Sequence, residues 1–474
     1  MMYMEKHTQR FYHPLFLFFI YLLVHASIRL FFDNALQVDD REQIFFGQTL
    51  EFGFPMPQPP LYSWLANMFF NVFGSSLFAL TLLKYLIIFA TFVAIWKVTE
   101  IYFIKTTYKN IVFFSYLLMP SFAWHMHQGF THTILLGFSI IITLLALLKL
   151  LKKANTNQYV FFGFSVALGF MSKYSFILFI LPLILSALTI KEFRFALLNK
   201  KIFISLAVLM ILLLPHYLWL ILNISEISSL ANNKLNISIL DNTSNNSLLT
   251  FLKSFIGFIS PLIFTFFSLR FSELFHSNKG IFFLPSERLI IRFFGIILIS
   301  LSLLLIFFSM PEIKVRWLHP LLMIFPFLAV LFIYRKSCLQ KSFLTIFYSL
   351  VTLLSISIIG VRFAQNTIGP ELGYSGRLNT PIIPTLRKIP QNILAEANII
   401  KTNDFNIGAH ILATFDKRFI AINDKFFNED SPGNGGDCLF ISDKPEIQNI
   451  NKLSIDGDYS IYYKLISVGN CIEN

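Results

Sequence analysis

The chain has 474 residues, of which 55% are hydrophobic and only 14% charged. A soluble globular chain carries about 25% charged residues, so the composition excludes that class. The formal net charge of +12 does not point to nucleic acid, because Lys and Arg are spread over short polar links rather than gathered in one stripe.

The opening stretch MMYMEKHTQRFYHPLFLFFIYLLVHASI has the charge and apolarity of a signal peptide. Its apolar run is long and no small-residue cleavage site follows, so it is expected to stay as a first helix. Apolar runs predict eleven transmembrane helices, near 13–32, 77–96, 111–123, 131–148, 159–171, 175–190, 202–222, 251–268, 293–309, 318–334 and 342–362. Alternate loops hold about 19 Lys and Arg against 5 on the other side, which places the N-terminus in the cytoplasm and, after an odd number of spans, the C-terminus in the periplasm.

Residues 1–363 are thus expected to form a transmembrane domain, with a first periplasmic loop at 33–76. That loop runs from DNALQVDDREQIFFGQ through FPMPQPPLYSWLANMFFNVFG and suggests short interfacial helices around an extended Pro cluster. The Asn/Ser-rich loop 223–250 is read as a plain periplasmic link. The polar tail 364–474 breaks short apolar runs with Gly, Asn and Asp, and is expected to be a small periplasmic α/β domain. Its Cys438 and Cys471 form a disulfide or stay as two free thiols; the sequence does not choose.

Three constellations carry chemistry. Asp39, Asp40 and Glu42 place three acids at a membrane surface. A positioned carboxylate there can take the proton of an attacking hydroxyl, whereas the plainer role is acid at a helix N-terminus. Lys173 and Arg316, with Lys314, are cations on the face where the orientation rule expects few. Burying such a charge at membrane depth costs about 2.5–3.5 kcal/mol on insertion scales. A lipid-linked phosphate leaving group would account for Lys173 and Arg316 together, and headgroup snorkelling is the alternative, preferred for Lys314. His125, His127 and His132 cluster in WHMHQGFTHT. A divalent metal ion shared with the acids is one role, lining of the substrate cavity the preferred one. Arg29 and Lys84 are expected to pair with acids or snorkel, and His216 and His319 to line the cavity or bond within the bundle.

With these segments in hand, the sequence resembles the dolichyl-phosphate-mannose-protein mannosyltransferase superfamily, in its bacterial glycosyltransferase family 39/83 branch. VDDREQIFFGQ is similar to that family's first-loop acidic motif and MPQPPLYSWL to its Pro-Pro-Leu motif. GFTHTILL, MSKYSFILF, LPHYLWL and VRWLHPLL follow in the order of the proteobacterial members. The lipid A and core galacturonic-acid transferases, and more distantly the aminoarabinose transferases, look most similar. The resemblance implies a GT-C fold, a polyprenyl-phosphate sugar donor, inversion at the anomeric carbon and a variable use of metal, so no cofactor is secured.

Asp39 then takes the role of general base, with Asp40 and Glu42 as supporting acids. Lys173 and Arg316 take the carrier phosphate, and Tyr174, Gln58, His132 and Lys314 complete the expected substrate site. The expected function is sugar transfer to lipid A or lipopolysaccharide core on the periplasmic face of the bacterial inner membrane. A flippase or transporter of a lipid-linked sugar, a protein O-glycosylating transferase and a non-catalytic assembly protein are the alternatives. A transporter is disfavoured because no inverted repeat or paired broken helices are found.

Overall fold

The computed structural model describes residues 13–54, 58–225, 247–267, 283–307, 318–336, 339–369 and most of 371–467. Helix α1 (Pro14–Phe32) is followed by two short helices, α2 (Val38–Phe46) and α3 (Leu61–Phe73), and then by the long α4 (Leu77–Tyr102). Farther on come α5 (Thr131–Lys152), α6 (Thr156–Ser172), α7 (Ile202–Leu222), α8 (Lys341–Thr367) and, in the tail, α9 (Phe405–Thr414).

Among the described residues six helices are long and apolar enough to cross a membrane: α1, α4, α5, α7, His319–Lys336 and α8. Tyr174–Leu188 and Lys191–Leu197, bent by 113°, make a seventh crossing if they count as one. The predicted count of eleven is therefore not reproduced. One reason is visible in the predicted helix 111–123. Thr106–Ser115 gives way to a 3-10 turn at Tyr116–Leu118 and then to a separate helix at Pro120–Ala123. Met119 between them is extended (φ −100, ψ 118), as expected of a residue that precedes proline. The predicted helices near 251–268 and 293–309 are present as Ser247–Phe267 and Pro285–Phe307.

The chain divides into two compact units, the first made of Met1–Leu22, Glu51–Leu61 and Leu86–Ile358, the second of Leu23–Leu50, Tyr62–Tyr85 and Ile359–Asn474. In the first, α5 is buried on nearly every side, which is why its sequence is apolar all round. α6 packs closely on α7. A Cβ on Gly163 would lie 2.3 Å from the Ser205 carbonyl oxygen, so only glycine lets the backbones meet. Ser205 Oγ donates to the Tyr159 carbonyl at 2.6 Å across the same contact. Asn155 caps α6 by accepting the Gln158 N–H at 3.0 Å. Between helix ends, Arg335 pairs with Glu287, and Arg288 with Glu192 at 2.9 Å.

The second unit holds a six-stranded sheet in the order β3-β2-β1-β4-β6-β5. Its strands are β1 (Ala397–Thr402), β2 (Phe419–Ile422), β3 (Lys425–Phe427), β4 (Asp437–Ser442), β5 (Asn451–Ile455) and β6 (Tyr459–Ser467). β1 runs parallel to both β2 and β4, with Ile399 opposite Phe419 and Ile400 opposite Leu439, while the remaining pairings are antiparallel. β4 is buried from Cys438 to Ser442 on both faces, which explains its continuous apolar run. α9 is the crossover between β1 and β2, started by Asp404, whose carboxylate accepts the Ile407 N–H at 2.7 Å. The expected mixed α/β tail is thus observed. Cys438 is disulfide-bonded, and its partner lies outside the described residues.

Candidate functional site

The acids and Lys173 belong to different units, and each set has its own geometry. In the second unit Asp39 and Asp40 occupy the first turn of α2. They part company there. Asp40 is 1% exposed, and its carboxylate accepts Arg29 Nη2 at 2.5 Å and the Gln37 N–H at 3.2 Å. Asp39 and Glu42 are half-buried. Asp40 thus stands where the plainer reading puts it, as acid at a helix N-terminus, and is also the partner of the buried Arg29.

Arg29 also donates through Nε to Thr81 Oγ1 at 2.9 Å, so one guanidinium ties α1, α2 and α4 together. Around this pair lie further buried ionisable groups: Asp33 after α1, Lys84 on α4 and Arg362 on α8. Lys84 feels the charges of Asp40 and Asp39 as well as those of Arg29 and Arg362. Asp33 accepts from Asn366 Nδ2 at 2.6 Å. Burial pushes its carboxyl above the usual range, while Arg29 and Arg362 pull the other way. Tyr62, directly after Pro59-Pro60-Leu61, is wholly buried and within electrostatic reach of Asp40, Arg29 and Asp39.

α3 is held against α2 by two bonds. Ser63 Oγ donates to Gln43 Oε1 and Asn67 Nδ2 to the Gly47 carbonyl, both at 2.9 Å. A Cβ on Gly47 would lie 2.6 Å from the Phe70 ring, so this contact requires glycine. The Pro-Pro-Leu segment thus opens a helix whose polar face secures the acid-bearing one.

In the first unit Lys173 ends α6 in an extended conformation and is half-buried. Its Nζ donates to Thr133 Oγ1 at 2.8 Å. Thr133 in turn lines a small recess walled by Phe92, Phe122, Phe130, His319 and Met323. The His319 ring sits among Phe122, Phe130 and Phe258 at centroid distances of 5.3, 6.0 and 5.2 Å, and its Nε2 has no hydrogen-bond partner among the described residues. A cation on the polar edge of an aromatic recess suits a ligand with an anionic head and an apolar body.

Tyr174, next to Lys173, shares a hydrogen bond of 3.0 Å with His216 Nε2, and His216 Nδ1 donates to the Phe52 carbonyl at 2.7 Å. The carbonyl only accepts, so Nδ1 carries the proton and Tyr174 donates to Nε2. Gly53 passes over the Trp219 ring, where a Cβ would lie 2.0 Å from the ring. The descending arm of the first loop is thereby seated on α7 beside Tyr174. Gln58 in the same arm has a buried Oε1 without a partner among the described residues.

The histidines near 125–132 do not converge. His127 bonds the Tyr21 hydroxyl at 3.0 Å, and His132 Nδ1 lies 3.3 Å from the Ser172 carbonyl. Among the described residues no three His, Cys, Asp or Glu side chains are placed to hold a metal ion. Arg316 and Lys314 lie outside the described residues.

Residues 57–219 match the model of the family described as Dolichyl-phosphate-mannose-protein mannosyltransferase. The lipopolysaccharide core galacturonosyltransferase RgtB of Rhizobium johnstonii is 27% identical over 81% of this chain and 78% of its own length. RgtA of the same organism, also a lipopolysaccharide core galacturonosyltransferase, is 23% identical over 83% and 79%. The solved structure of ArnT from Cupriavidus metallidurans bound to undecaprenyl phosphate superposes with a TM-score of 0.61 at 12% identity, covering 94% of this chain and 96% of that one. The chain is a GT-C membrane glycosyltransferase.

In this GT-C transferase, sequence reasoning picked out Asp39, Asp40 and Lys173 but passed over their surroundings. Arg29 and Lys84 had signalled themselves as charges inside apolar runs. Thr81, Tyr62 and Arg362 gave no such signal, because a lone residue in a helix carries no record of what folds against it.

Proposed function

We propose that this transferase takes a sugar from a polyprenyl-phosphate carrier and attaches it to lipid A or lipopolysaccharide core at the periplasmic face of the bacterial inner membrane. The observation that carries the reading is Lys173, a half-buried cation bonded to the wall of an aromatic cavity. Phosphate head and isoprenoid body together match that pairing of charge and apolar surface. The relatives named as lipopolysaccharide core galacturonosyltransferases support the acceptor class.

In this proposal Asp39 accepts the proton of the acceptor hydroxyl as it attacks the anomeric carbon. The C–O bond to the carrier phosphate breaks, and the phosphate takes the electron pair. Lys173 and Arg316 stabilise the charge that grows on it. Asp40, bonded to Arg29 and Gln37, orients the turn that carries Asp39, with Glu42 as a further acid. Tyr174, Gln58, His132 and Lys314 belong to the donor side. The N-terminus is cytoplasmic and 364–474 is a periplasmic domain, where an oxidising compartment suits the bonded Cys438.

The test is transfer in vitro by purified protein, with a panel of polyprenyl-phosphate sugars and extracted lipopolysaccharide, beside mass spectrometry of lipid A and core from a deletion strain. One donor should support transfer, and the deletion should remove one sugar. The Asp39→Asn protein should insert normally and lose turnover. Wild-type turnover in that variant would remove Asp39 as base, and accumulated cytoplasmic-leaflet donor in the deletion strain would favour a flippase.

A further inference from the structure

Segment 33–46, which carries the acids, is gripped on several sides by residues of the C-terminal part of the second unit. Asn34 pairs through its main chain in both directions, donating to the Leu378 carbonyl at 2.9 Å and accepting from Ile383 N–H at 3.1 Å. α9 supplies three contacts from consecutive turns. Phe405 stacks on Phe45 with centroids 4.1 Å apart, Asn406 Oδ1 accepts from Arg41, and His410 Nε2 accepts the Leu36 N–H at 2.9 Å. Leu36 is three residues from Asp39.

The protonation of His410 follows from its partners. Its Nδ1 lies 2.6 Å from the Asn406 carbonyl, which can only accept, so Nδ1 holds the hydrogen. Nε2 faces an N–H and must be bare. The imidazole is therefore neutral, with both nitrogens used and the ring completely buried. A second proton would put an N–H against the Leu36 N–H and eject the contact.

We infer that His410 is a positioning residue for the transfer reaction: through Leu36 it fixes the height and rotation of the first turn of α2, so the C-terminal α/β domain sets where the Asp39 carboxylate points. The inference rests on the proposed role of Asp39. The groups that bear on His410 are Arg41 on α2, Asp404 before α9, and Asp40; Arg41 disfavours a proton on the ring and the two acids favour one, while burial keeps it neutral. A misplacement of about 1 Å in a reacting group costs on the order of a hundredfold in rate, so a loosened first turn is expected to lower kcat by at least about tenfold.

The experiment uses full-length wild type, His410→Ala, and His410→Gln, whose amide oxygen can take the same N–H. Transfer is measured with the polyprenyl-phosphate sugar found active in the donor panel and with extracted lipopolysaccharide. Hydrogen exchange of peptides covering 33–46 is followed without substrate. In His410→Ala, exchange over 33–46 should accelerate and kcat should fall about tenfold or more, with the donor KM unchanged; His410→Gln should restore both. In wild type the same peptides should loosen on acidification after correction for intrinsic exchange, and in His410→Gln they should not.

Unchanged exchange in His410→Ala, or wild-type kcat despite faster exchange, would overturn the inference. If the alanine protein does not fold, acid-induced loosening that persists in His410→Gln overturns it alone. Wild-type turnover in Asp39→Asn would instead remove the base and leave the exchange result standing, so the two failures are distinguishable.

Discussion

Asp40→Asn removes one charge from a pair whose side chains are 1% and 2% exposed. The change keeps shape and one hydrogen-bond acceptor, so the loss is electrostatic. Arg29 would keep its bond to Thr81 but face a neutral amide, with Lys84 and Arg362 also buried nearby. Breaking a buried pair from one side costs about 3–5 kcal/mol, because the remaining charge is stranded without compensation. Replacing both members is far cheaper, so Arg29→Gln with Asp40→Asn should recover most of that loss. The assay is a thermodynamic cycle of wild type, both single variants and the double variant, by denaturant unfolding in mild detergent, with transfer turnover measured on each. Turnover should follow stability, since the bonds of Asp40 assign it to holding α2 rather than to proton transfer. A single variant within about 1 kcal/mol of wild type, or a double variant no better than Asp40→Asn, would refute the reasoning.

Lys173→Ala should raise the apparent KM for the polyprenyl-phosphate donor and leave that for the acceptor unchanged; titrating each substrate separately checks this, and an unchanged donor KM would count against phosphate binding. Gly163→Val should destabilise the α6–α7 contact by about 1–3 kcal/mol or more, because its Cβ alone already falls 2.3 Å from a backbone oxygen of α7; thermal unfolding reads the loss. Burial pulls His410 down to about 4 from 6.5, so the unfolded chain binds its proton at a pH where the folded chain does not. The stability from His410 is then fully present above pH 6.5 and is lost as pH falls toward 4, about 3 kcal/mol in all. Denaturant unfolding across that window should show the decline in wild type and a shallower one in His410→Gln.

Much of the architecture was legible in the sequence because the bilayer dictates it: apolar runs such as 131–148 and 202–222 have few alternatives in hydrocarbon. The short helices around Asp39 and Tyr62 and the mixed α/β tail were legible for similar reasons. The break at Met119–Pro120 was not read, since an apolar run of sufficient length hides a local change of direction. The acids and Lys173 were visible because each violates its surroundings. The partners of those residues were not visible. Thr81 lies 52 positions from Arg29, and His410 lies 374 from Leu36. No local pattern encodes contacts at such separations, and they form only once packing is decided.

The polar grip on α2 has a physical reason. α2 has nine residues, and its apolar anchors Ile44 and Phe45 lie in the C-terminal half, while Val38 at its start is exposed. Within the helix, apolar packing therefore secures the C-terminal half, and beyond the buried Ala35 and Leu36 that precede it the turn with Asp39 is held by polar bonds. A buried ion pair is a poor way to gain stability, since hydrophobic residues of equal volume often do better. It does fix direction, which packing of smooth surfaces does not. Arg29 on Asp40, Asp40 on the Gln37 N–H, His410 on the Leu36 N–H and Asn366 on Asp33 all act within seven residues of Asp39. Each bond points along a different line, and together they remove the helix's freedom to roll or slide. A half-buried carboxylate in the proposed role of general base needs that restraint more than it needs a deeper core.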